Sequence, residues 1–371
     1  LVDAATDRHV WVDTYERDVR DVLTLQSDLA RTIAREVKIQ LTPQEQAGFA
    51  MVQRIEPDVQ EAYLRGRYYW NKRTEDGLQK ALAYFEHAAA IDPTFARAYA
   101  GQADVYSFLP QAMLPSTAYP KAKAAATKAL ELNPTLAEAY TSLAFATFAY
   151  DRDWPGAEAA FQRALQLNPG YETAHHWYGD YFVVMGRFDE ALAQFELARA
   201  IDPLSSAVRT SIGGSLYHAH RFDEAIVHLR ASLDIDPGNP ATHTFLAACY
   251  ERKGMLSEAR AEARRALEIE PSYSYALAEL GRVAALSGDR TEARRIATGL
   301  TARARQERIP GDAIAYIYAA LGDKDRAFAF LDEAEQERWP NLLWAKVAPE
   351  LDQLRADPRF DDLLRKLRLT P

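Results

Sequence analysis

The chain has 371 residues, 48% hydrophobic and 26% charged, a balance typical of a protein that buries a core. Its formal net charge of -9 argues against a general nucleic-acid binder and against an anionic membrane surface as partner, because both need clustered Lys and Arg. The sequence has no apolar run long enough to span a bilayer, no signal-peptide pattern and only one cysteine, Cys249. These features favour the cytoplasm and exclude an internal disulfide.

The first residues have a strand-like pattern. Residues 1–15 alternate and are rich in Val, Trp, Thr and Tyr, which predicts a strand, a turn near Thr6-Asp7 and a second strand through Val10-Trp11-Val12. Asp21–Leu41 is predicted to be an amphipathic helix. Because an isolated hairpin is marginally stable, we expect residues 1–57 to be the remnant of an upstream α/β domain, with its linker.

The central part of the chain repeats with a period of 34 residues. Short motifs of the form Ile-Asp-Pro, Leu-Asn-Pro or Ile-Glu-Pro close successive units, with prolines at Pro93, Pro134, Pro169, Pro203, Pro237 and Pro271. Alanines lie twelve residues before each proline and continue beyond the last one, at Ala81, Ala122, Ala157, Ala191, Ala225, Ala259, Ala293 and Ala327. Turn residues follow the same register, at Gly186, His220, Gly254, Gly288 and Gly322.

This register predicts a helix, a turn and a second helix in every unit. The small residues allow two helices to cross closely, the glycine permits the turn, and the proline ends the second helix. Such units stack into a superhelix because none buries its apolar face alone. We therefore predict an all-α fold of about eight helical hairpins over residues 58–337. The insertion Leu109–Pro120, with three prolines, is expected to loop out between two helices.

The last residues read differently from the repeats. The seventh unit lacks a closing Ile-Asp-Pro and runs through Arg303–Arg308, which we interpret as a solvated helix face. Leu351 and Leu354 form a one-sided apolar stripe that Phe360 continues. Because the last unit of a solenoid has no neighbour, residues 338–371 are predicted to form a C-terminal capping region with a capping helix.

The repeat resembles the tetratricopeptide repeat. Tyr171–Pro203 shows the likeness best: Trp177-Tyr178-Gly179 is followed by the segment Gly186–Ala191, then by small and aromatic residues in register and a closing Asp-Pro. The resemblance covers about residues 58–337. It implies an α-α superhelix that binds a peptide or a protein surface in its concave groove.

The two ends resemble parts of bacterial multidomain regulators. Leu1–Thr6, Trp11, Tyr15–Asp18 and Asp21–Gln26 are similar to the end of a TolB-amino-terminal-like domain. Arg355–Phe360 looks like the tail of proteins in which that domain precedes tetratricopeptide repeats. Such proteins often carry a winged-helix, nucleotide cyclase or protein kinase domain upstream, so the resemblance implies a regulatory or signalling context.

The sequence contains no recognisable catalytic or metal-binding motif. GxSxG, HExxH and GxGxxG are absent. His175 and His176 are adjacent, so they diverge on a helix, and a packed role is the better interpretation of His175. Cys249 lies within a helical pattern and is interpreted as a packed thiol. We therefore predict no catalytic residue, no metal and no cofactor.

The predicted functional surface is the concave groove, lined by the first helix of each unit. It mixes aromatic, hydrogen-bonding and charged side chains, and aromatic residues and Arg are the usual anchors of protein interfaces. The predicted groove residues are Tyr63, Arg67, Trp70, Arg97, Asp104, Phe108, His176, Trp177, Asp180, Tyr217, His218, Phe245 and Arg282.

The leading hypothesis from the sequence is a non-catalytic scaffold that binds a protein or peptide, as the regulatory part of a larger bacterial signalling or transcription regulator. One alternative is a self-association module that forms a homo-oligomer. Another is the accessory region of an enzyme, a cyclase, kinase or glycosyl transferase, whose catalytic domain is absent from this chain. Neither nucleic acid nor membrane is an expected partner of this region.

Overall fold

The computed structural model describes residues 2–3, 8–9, 55–72, 74–109, 113–304 and 307–370. Strands β1 (Val2–Asp3) and β2 (Arg8–His9) pair antiparallel, with Val2 opposite His9 and Asp3 opposite Arg8. Two short paired strands are therefore present near the start of the sequence, and the expected turn at Thr6-Asp7 lies outside the described residues. The expected strand Val10-Trp11-Val12 and the expected helix Asp21–Leu41 lie outside the described residues.

Eight helix–turn–helix pairs follow within the described part of the chain, as the repeat predicts. The first four pairs are α1 (Pro57–Asn71) with α2 (Glu75–Ile91), α3 (Ala96–Phe108) with α4 (Pro115–Leu132), α5 (Ala137–Ala146) with α6 (Trp154–Leu167), and α7 (Glu172–Met185) with α8 (Phe188–Ile201). The last four pairs are α9 (Ser206–His218) with α10 (Phe222–Leu233), α11 (Pro240–Arg252) with α12 (Leu256–Ile269), α13 (Ser274–Leu286) with α14 (Arg290–Ala304), and α15 (Gly311–Ala320) with α16 (Lys324–Gln336). A π-helical turn, Thr147–Asp151, extends α5.

The small residues lie where the helices cross. All eight alanines of the 34-residue series, from Ala81 to Ala327, are fully buried. Gly179 on α7 shows why a small residue is needed there, because a β-carbon at this position would lie 2.5 Å from the ring of Phe195 on α8. Gly66 on α1 and Gly213 on α9 leave the same kind of gap for Phe85 and Leu229 of their paired second helices.

The turns between paired helices repeat with the same period. Left-handed backbone occurs at Gly186, Gly254, Gly288 and Gly322, with φ between 74° and 85°. His220, with φ of 58°, occupies the place where the glycine is missing, as the sequence indicates. Arg152, with φ of 57°, occupies the equivalent turn position one unit before Gly186. These positions need a positive φ because the chain reverses direction in very few residues.

The Asp or Asn before five of the closing prolines forms a second kind of turn. The side chain of Asp92 accepts a hydrogen bond from the backbone N–H of Thr94 at 2.8 Å, and Asn133 and Asn168 repeat the contact with the residues two positions later. A side chain that accepts from the backbone two residues on fixes the exit from the helix. The repeated geometry of the turn therefore depends on this residue as well as on the proline.

The insertion at Leu109–Pro120 does not loop out over its whole length, so that prediction is wrong in part. Pro115 is the first residue of α4, and Pro120 lies inside the same helix. A proline at the first helical position costs no intrahelical hydrogen bond, which lets α4 begin within the insertion. Residues 109–114 alone separate α3 from α4.

The chain after α16 forms two 3₁₀ helices, Pro340–Lys346 and Pro349–Leu354, and then α17 (Pro358–Lys366). Helix α17 packs on α16 and buries Phe360, and Lys366 pairs with Asp332 at 2.7 Å, so the predicted capping helix is confirmed. The two 3₁₀ helices, residues 340–354, contact the last hairpin, α15 and α16, and also the distant helix α7. We call residues 340–354 the inner segment.

The three-part division at residues 57 and 337 stays a prediction. Among the described helices, none is long and apolar enough to cross a membrane.

Candidate functional site on the concave face

The concave face of the first four units is filled by aromatic side chains. Trp177 on α7 lies 4.7 Å, between ring centroids, from Phe145 on α5 and 5.4 Å from Phe108 on α3. Trp70 on α1 lies 6.4 Å from Trp177. We call Trp70, Phe108, Phe145 and Trp177 the aromatic cluster. Offset and edge-to-face contacts at these distances stabilise a packed interior.

A polar network lies beside the aromatic cluster. Arg67 donates to Asp104 at 2.8 Å, and Asp104, which is 1% exposed, accepts at 2.6 Å from the hydroxyl of Ser142. The Arg67 guanidinium also lies over the ring of Trp70, 4.3 Å from its centroid. Since Arg67, Asp104 and Ser142 come from α1, α3 and α5, the network joins three consecutive units.

Three more predicted groove residues serve the packing between units. Tyr63 makes an edge contact with Phe95, with ring centroids 5.5 Å apart. Arg97, which is largely exposed, approaches Glu138 at 3.8 Å. Nε2 of His176 lies 2.8 Å from the hydroxyl of Ser211.

The inner segment closes the concave face of the other half of the chain. Lys346 donates to the carbonyl oxygen of Met185 at 3.1 Å, and Arg252 pairs with Asp352 at 2.7 Å. The buried Arg152 extends this closure, because it donates to the side chain of Glu335 at 2.8 Å and to the carbonyl oxygen of Lys366 at 3.0 Å. The end of the chain is thereby tied to the third and fourth units.

A cavity of about 300 Å³ lies between helices α7, α9, α11, α13 and α15 and the inner segment. Four of the predicted groove residues line it, namely Asp180, His218, Phe245 and Arg282. Its walls also contain aromatic rings from α13, α15 and the inner segment. Its volume is at the low end of the range for small-molecule pockets.

One wall of the cavity carries a buried charge cluster. Arg282 donates to Glu251 from Nε at 2.8 Å and from Nη2 at 2.6 Å, and its Nε lies 3.6 Å from Glu279. Arg282 and Glu279 are each only 3% exposed. Burial first, and then the negative charge of Glu251, raise the pKa of Glu279 well above its ordinary range.

Further polar groups face or support this wall. Tyr275 donates from its hydroxyl to Asp312 at 2.9 Å, and burial raises the pKa of Asp312 to about 6. Burial also lowers the pKa of His218 to about 3, so its imidazole is neutral at pH 7. Nδ1 of His218 and the hydroxyl of Ser215 have no hydrogen-bond partner within the part of the chain that the structure describes.

Comparison with known proteins agrees with the helical pattern. A family model for the tetratricopeptide repeat matches residues 148–212 and 216–265. The eight hairpins extend the same geometry over the rest of the described repeats. The chain contains tetratricopeptide repeats at these residues.

Two solved structures and one curated relative are similar to this tetratricopeptide array. The yeast Tom70 structure is 18% identical, covers 83% of this chain and 67% of its own, and superposes with a TM-score of 0.50. Pseudomonas aeruginosa PilF is 21% identical over 55% of this chain and 93% of its own, with a TM-score of 0.43. A Rhizobium meliloti (strain 1021) protein named "Putative adenylate cyclase 3" is 27% identical over 100 residues, which are 27% of this chain and 17% of that protein.

The structure separates the predicted groove residues of the tetratricopeptide array into two groups. Trp177 and Tyr217 are fully buried and Trp70 is 2% exposed, so the expectation that they present an accessible surface is wrong. The reason is steric, since large rings on adjacent first helices interdigitate and fill the narrow space between them. The other group, Asp180, His218, Phe245 and Arg282, borders the open space of the cavity.

Several cavity residues were absent from the sequence prediction. Glu279 lies eight residues after Pro271, the register that also places Phe245 eight residues after Pro237, so a signal for it was available. Trp344 and Glu350 line the cavity from the inner segment, which has no repeat pattern. No positional rule of the repeat could have placed those two residues.

The histidine pair does not form a metal site. His175 is bound on both ring nitrogens, with Nδ1 2.6 Å from the amide oxygen of Gln194 and Nε2 2.9 Å from the carbonyl oxygen of Pro169. The packed role predicted for His175 agrees with these contacts. Among the described residues, no group of three or more His, Cys, Asp or Glu side chains could hold a metal ion.

Proposed function

We propose that this chain is a non-catalytic interaction scaffold that binds a peptide or a protein segment at the concave face of its second half. The observation that carries the proposal is the cavity between α9, α11, α13 and the inner segment, on the face that the first helices present. Half-buried aromatic side chains beside hydrogen-bonding groups suit the recognition of a peptide.

Charge and burial support a binding surface in the second half of the array. The aromatic cluster fills the concave face of the first four units. Asn341 is exposed at the edge of the cavity, and Phe245 and Trp344 are half-buried in its wall. A segment that reached Asn341 could therefore extend a side chain past Phe245 without displacing the folded core.

Site-specific photo-crosslinking tests this placement. A benzoylphenylalanine at Asn341 is expected to form an adduct with the partner in cells, and mass spectrometry should map the adduct to one short segment of that partner. The matched control carries the same probe at Val227, which is 66% exposed on the outer helix α10. Equal labelling from Asn341 and Val227, or labelling from Val227 alone, would contradict the proposal.

The finer proposal is that the array is the regulatory part of a larger bacterial signalling or transcription regulator located in the cytoplasm. It is supported by the resemblance of the first residues to the end of a TolB-amino-terminal-like domain. The similarity to the Rhizobium meliloti protein also supports it, although the match covers only 17% of that protein. Sequencing of the coding region around this segment tests the proposal, and a gene that encodes only these repeats would contradict it.

Two other functions compete with this proposal. The relative's name favours an accessory region of a nucleotide cyclase, in which the repeats would bind a regulator of the enzyme. Self-association is the other, because Leu197, Ile201 and Leu204 are exposed apolar residues along one stretch of the outer surface. Light scattering at high concentration distinguishes it, since a scaffold that does not self-associate stays monomeric.

A further inference from the structure

We infer that the cavity binds an organic cation, an alkylguanidinium or alkylammonium group, at the wall formed by Glu279 and Glu350. The inference deepens the proposed function and rests on it where the cation is a basic side chain of a partner peptide. A free amine would supply the same chemistry. The argument depends on the charge balance, on acceptors without donors and on the aromatic walls.

The first step is the charge balance of the wall. Three carboxyl groups, those of Glu251, Glu279 and Glu350, surround the single guanidinium of Arg282, and two of them exceed its charge even while Glu279 is protonated. The next basic residue along α11, Arg252, is already paired with Asp352 at 2.7 Å. The wall therefore holds more negative than positive charge, in a place where low dielectric strengthens the attraction for a cation.

The second step concerns acceptors that lack donors. Oε1 of Glu279 and Oε2 of Glu350 are buried and accept no hydrogen bond from other residues that the structure describes. Glu279 is only 3% exposed, so this oxygen has lost most contact with bulk water. A buried acceptor without a partner costs free energy, which a ligand that donates N–H groups would offset.

The third step is the shape and character of the other walls. Phe245, Tyr275, Tyr316 and Trp344 line the same cavity. Aromatic faces attract guanidinium and ammonium groups and also contact the alkyl chain that carries them. The cavity volume of about 300 Å³ accommodates one such side chain or a small free amine.

Two further side chains of the cavity could bind a polar group on the same ligand. The hydroxyl of Ser215 and Nδ1 of His218, both on α9, have no partner within the described part of the chain. Both residues line the cavity. A ligand with a cationic head and a polar group at the other end of a short alkyl chain, such as an arginine or lysine residue, matches this arrangement.

An anion does not fit the same wall. Arg282 is the only cationic side chain among the described residues that line the cavity, and Glu251 already accepts from its Nε and Nη2. A carboxylate or phosphate placed there would approach Glu279 and Glu350 as well. Like-charge contact at short range in a buried site is strongly unfavourable.

The binding is expected to be coupled to proton release. Because a nearby cation favours the ionised form of Glu279, whose pKa is raised in the free protein, binding removes a proton and affinity rises with pH. The charged or titratable groups facing Glu279 from its own and neighbouring elements are Tyr217 on α9, Cys249, Glu251 and Arg252 on α11, Arg282 on α13 and Glu350 on the inner segment.

Calorimetric titration of the full chain with matched ligands tests the inference. n-Butylguanidinium should bind, and its neutral isostere n-butylurea should bind at least about tenfold more weakly, because charged hydrogen bonds are lost. Affinity for n-butylguanidinium should be higher at about pH 8 than at about pH 6. Equal affinity for the two ligands, or binding of acetate at this site, would overturn the inference.

Variants identify the wall that recognises the cation. Glu279→Gln should weaken n-butylguanidinium binding by about tenfold or more. Glu268→Gln, an exposed change on the outer helix α12, is the matched control and should have no effect. If Glu279→Gln fails to fold, Glu350→Gln on the partly exposed inner segment should still give a several-fold loss. Full affinity in both folded variants would refute the site.

Peptide and free-amine ligands separate the two sources of the cation. A short peptide with a central arginine, compared with the same peptide containing citrulline, reports on a partner's side chain, and spermidine reports on a free amine. Arginine-dependent peptide binding supports the first source, and tight binding of spermidine alone supports the second. Partner crosslinking at Asn341 without any cation preference would retain the proposed function and reject this inference.

Discussion

The two halves of the concave face are built from the same repeat but differ in what fills them. In the first four units, rings from four successive first helices meet, and the only buried carboxylate of the polar network, Asp104, is paired with Arg67. In the last four units the rings stand apart around a cavity, and Asp312 is buried without a basic partner within the described residues. Aromatic packing therefore fills the first half, whereas the second half keeps open space beside buried carboxyl groups.

This difference shows how one scaffold separates folding from recognition. The alanine and glycine register fixes the helix crossings equally in both halves. The positions that face inward are free of that constraint, so bulky rings can fill one half while the other half keeps open space. Substitutions at equivalent inward positions should therefore have different consequences in the two halves.

The largest difference is expected for aromatic truncation. Trp177→Ala removes a fully buried ring from the aromatic cluster and should reduce the free energy of unfolding by about 3–5 kcal/mol. Phe245→Ala, at the half-buried cavity wall, should cost only about 1–2 kcal/mol because the ring already borders open space. Urea denaturation followed by circular dichroism measures both values. Similar losses in the two variants would contradict the contrast between the halves.

The next prediction compares Asp-to-Asn changes at two buried positions, which should alter the free energy of unfolding in opposite directions. Asp104→Asn should destabilise the fold by about 2 kcal/mol at pH 7, because it leaves Arg67 without its charged partner. Asp312→Asn should stabilise it at pH 7 by up to about 3 kcal/mol, because burial raises the pKa of Asp312 from 3.8 to about 6.

The pH dependence of Asp312 provides the check on that sign. A raised folded-state pKa means that the folded protein holds the proton more tightly than the unfolded chain does. The stabilisation is therefore full below pH 3.8 and is lost as the pH rises through about 6. The stability difference between the wild type and Asp312→Asn should grow over this range. A difference that does not change with pH would show that Asp312 does not titrate in this way.

The smallest effects are expected at the left-handed turns. His220→Gly relieves a positive φ at an exposed residue and should raise stability by about 0.5 kcal/mol. Arg152→Gly relieves the same strain but removes the hydrogen bonds to Glu335 and to the carbonyl oxygen of Lys366, so it should lower stability by about 2 kcal/mol. Thermal unfolding of both variants measures this contrast, and a stabilised Arg152→Gly would show that the tie to the chain's end contributes little.

The repeat could be predicted from the sequence because it is periodic. The alanine series and the turn residues predicted about eight hairpins, and the structure has eight within its described part. His220 could be placed in a turn although it is not a glycine. The capping helix followed from the apolar stripe that includes Phe360. These features depend on local spacing, which a sequence displays directly.

The candidate site could be predicted only in part. Asp180, His218, Phe245 and Arg282 were predicted on the concave face, and they line the cavity. The burial of Trp177 could not be foreseen, because it depends on the size of its neighbours on other helices. The packing of the inner segment against the concave face could not be predicted either. It depends on contacts with residues more than 100 positions away, such as that of Lys346 with Met185.

That packing changes how the array should behave under stress. Repeat arrays whose units touch only their neighbours can lose their terminal units one at a time. Here Arg152 donates a hydrogen bond to Glu335, which lies 183 positions later in the sequence. It also donates to the carbonyl oxygen of Lys366 in the capping helix α17. The eighth hairpin cannot fray without also releasing the third and fourth, so we expect the intervening units to melt together. The hydrogen bonds of Arg152 thus join hairpins that are far apart in the sequence, and the stiffness of the superhelix depends on them.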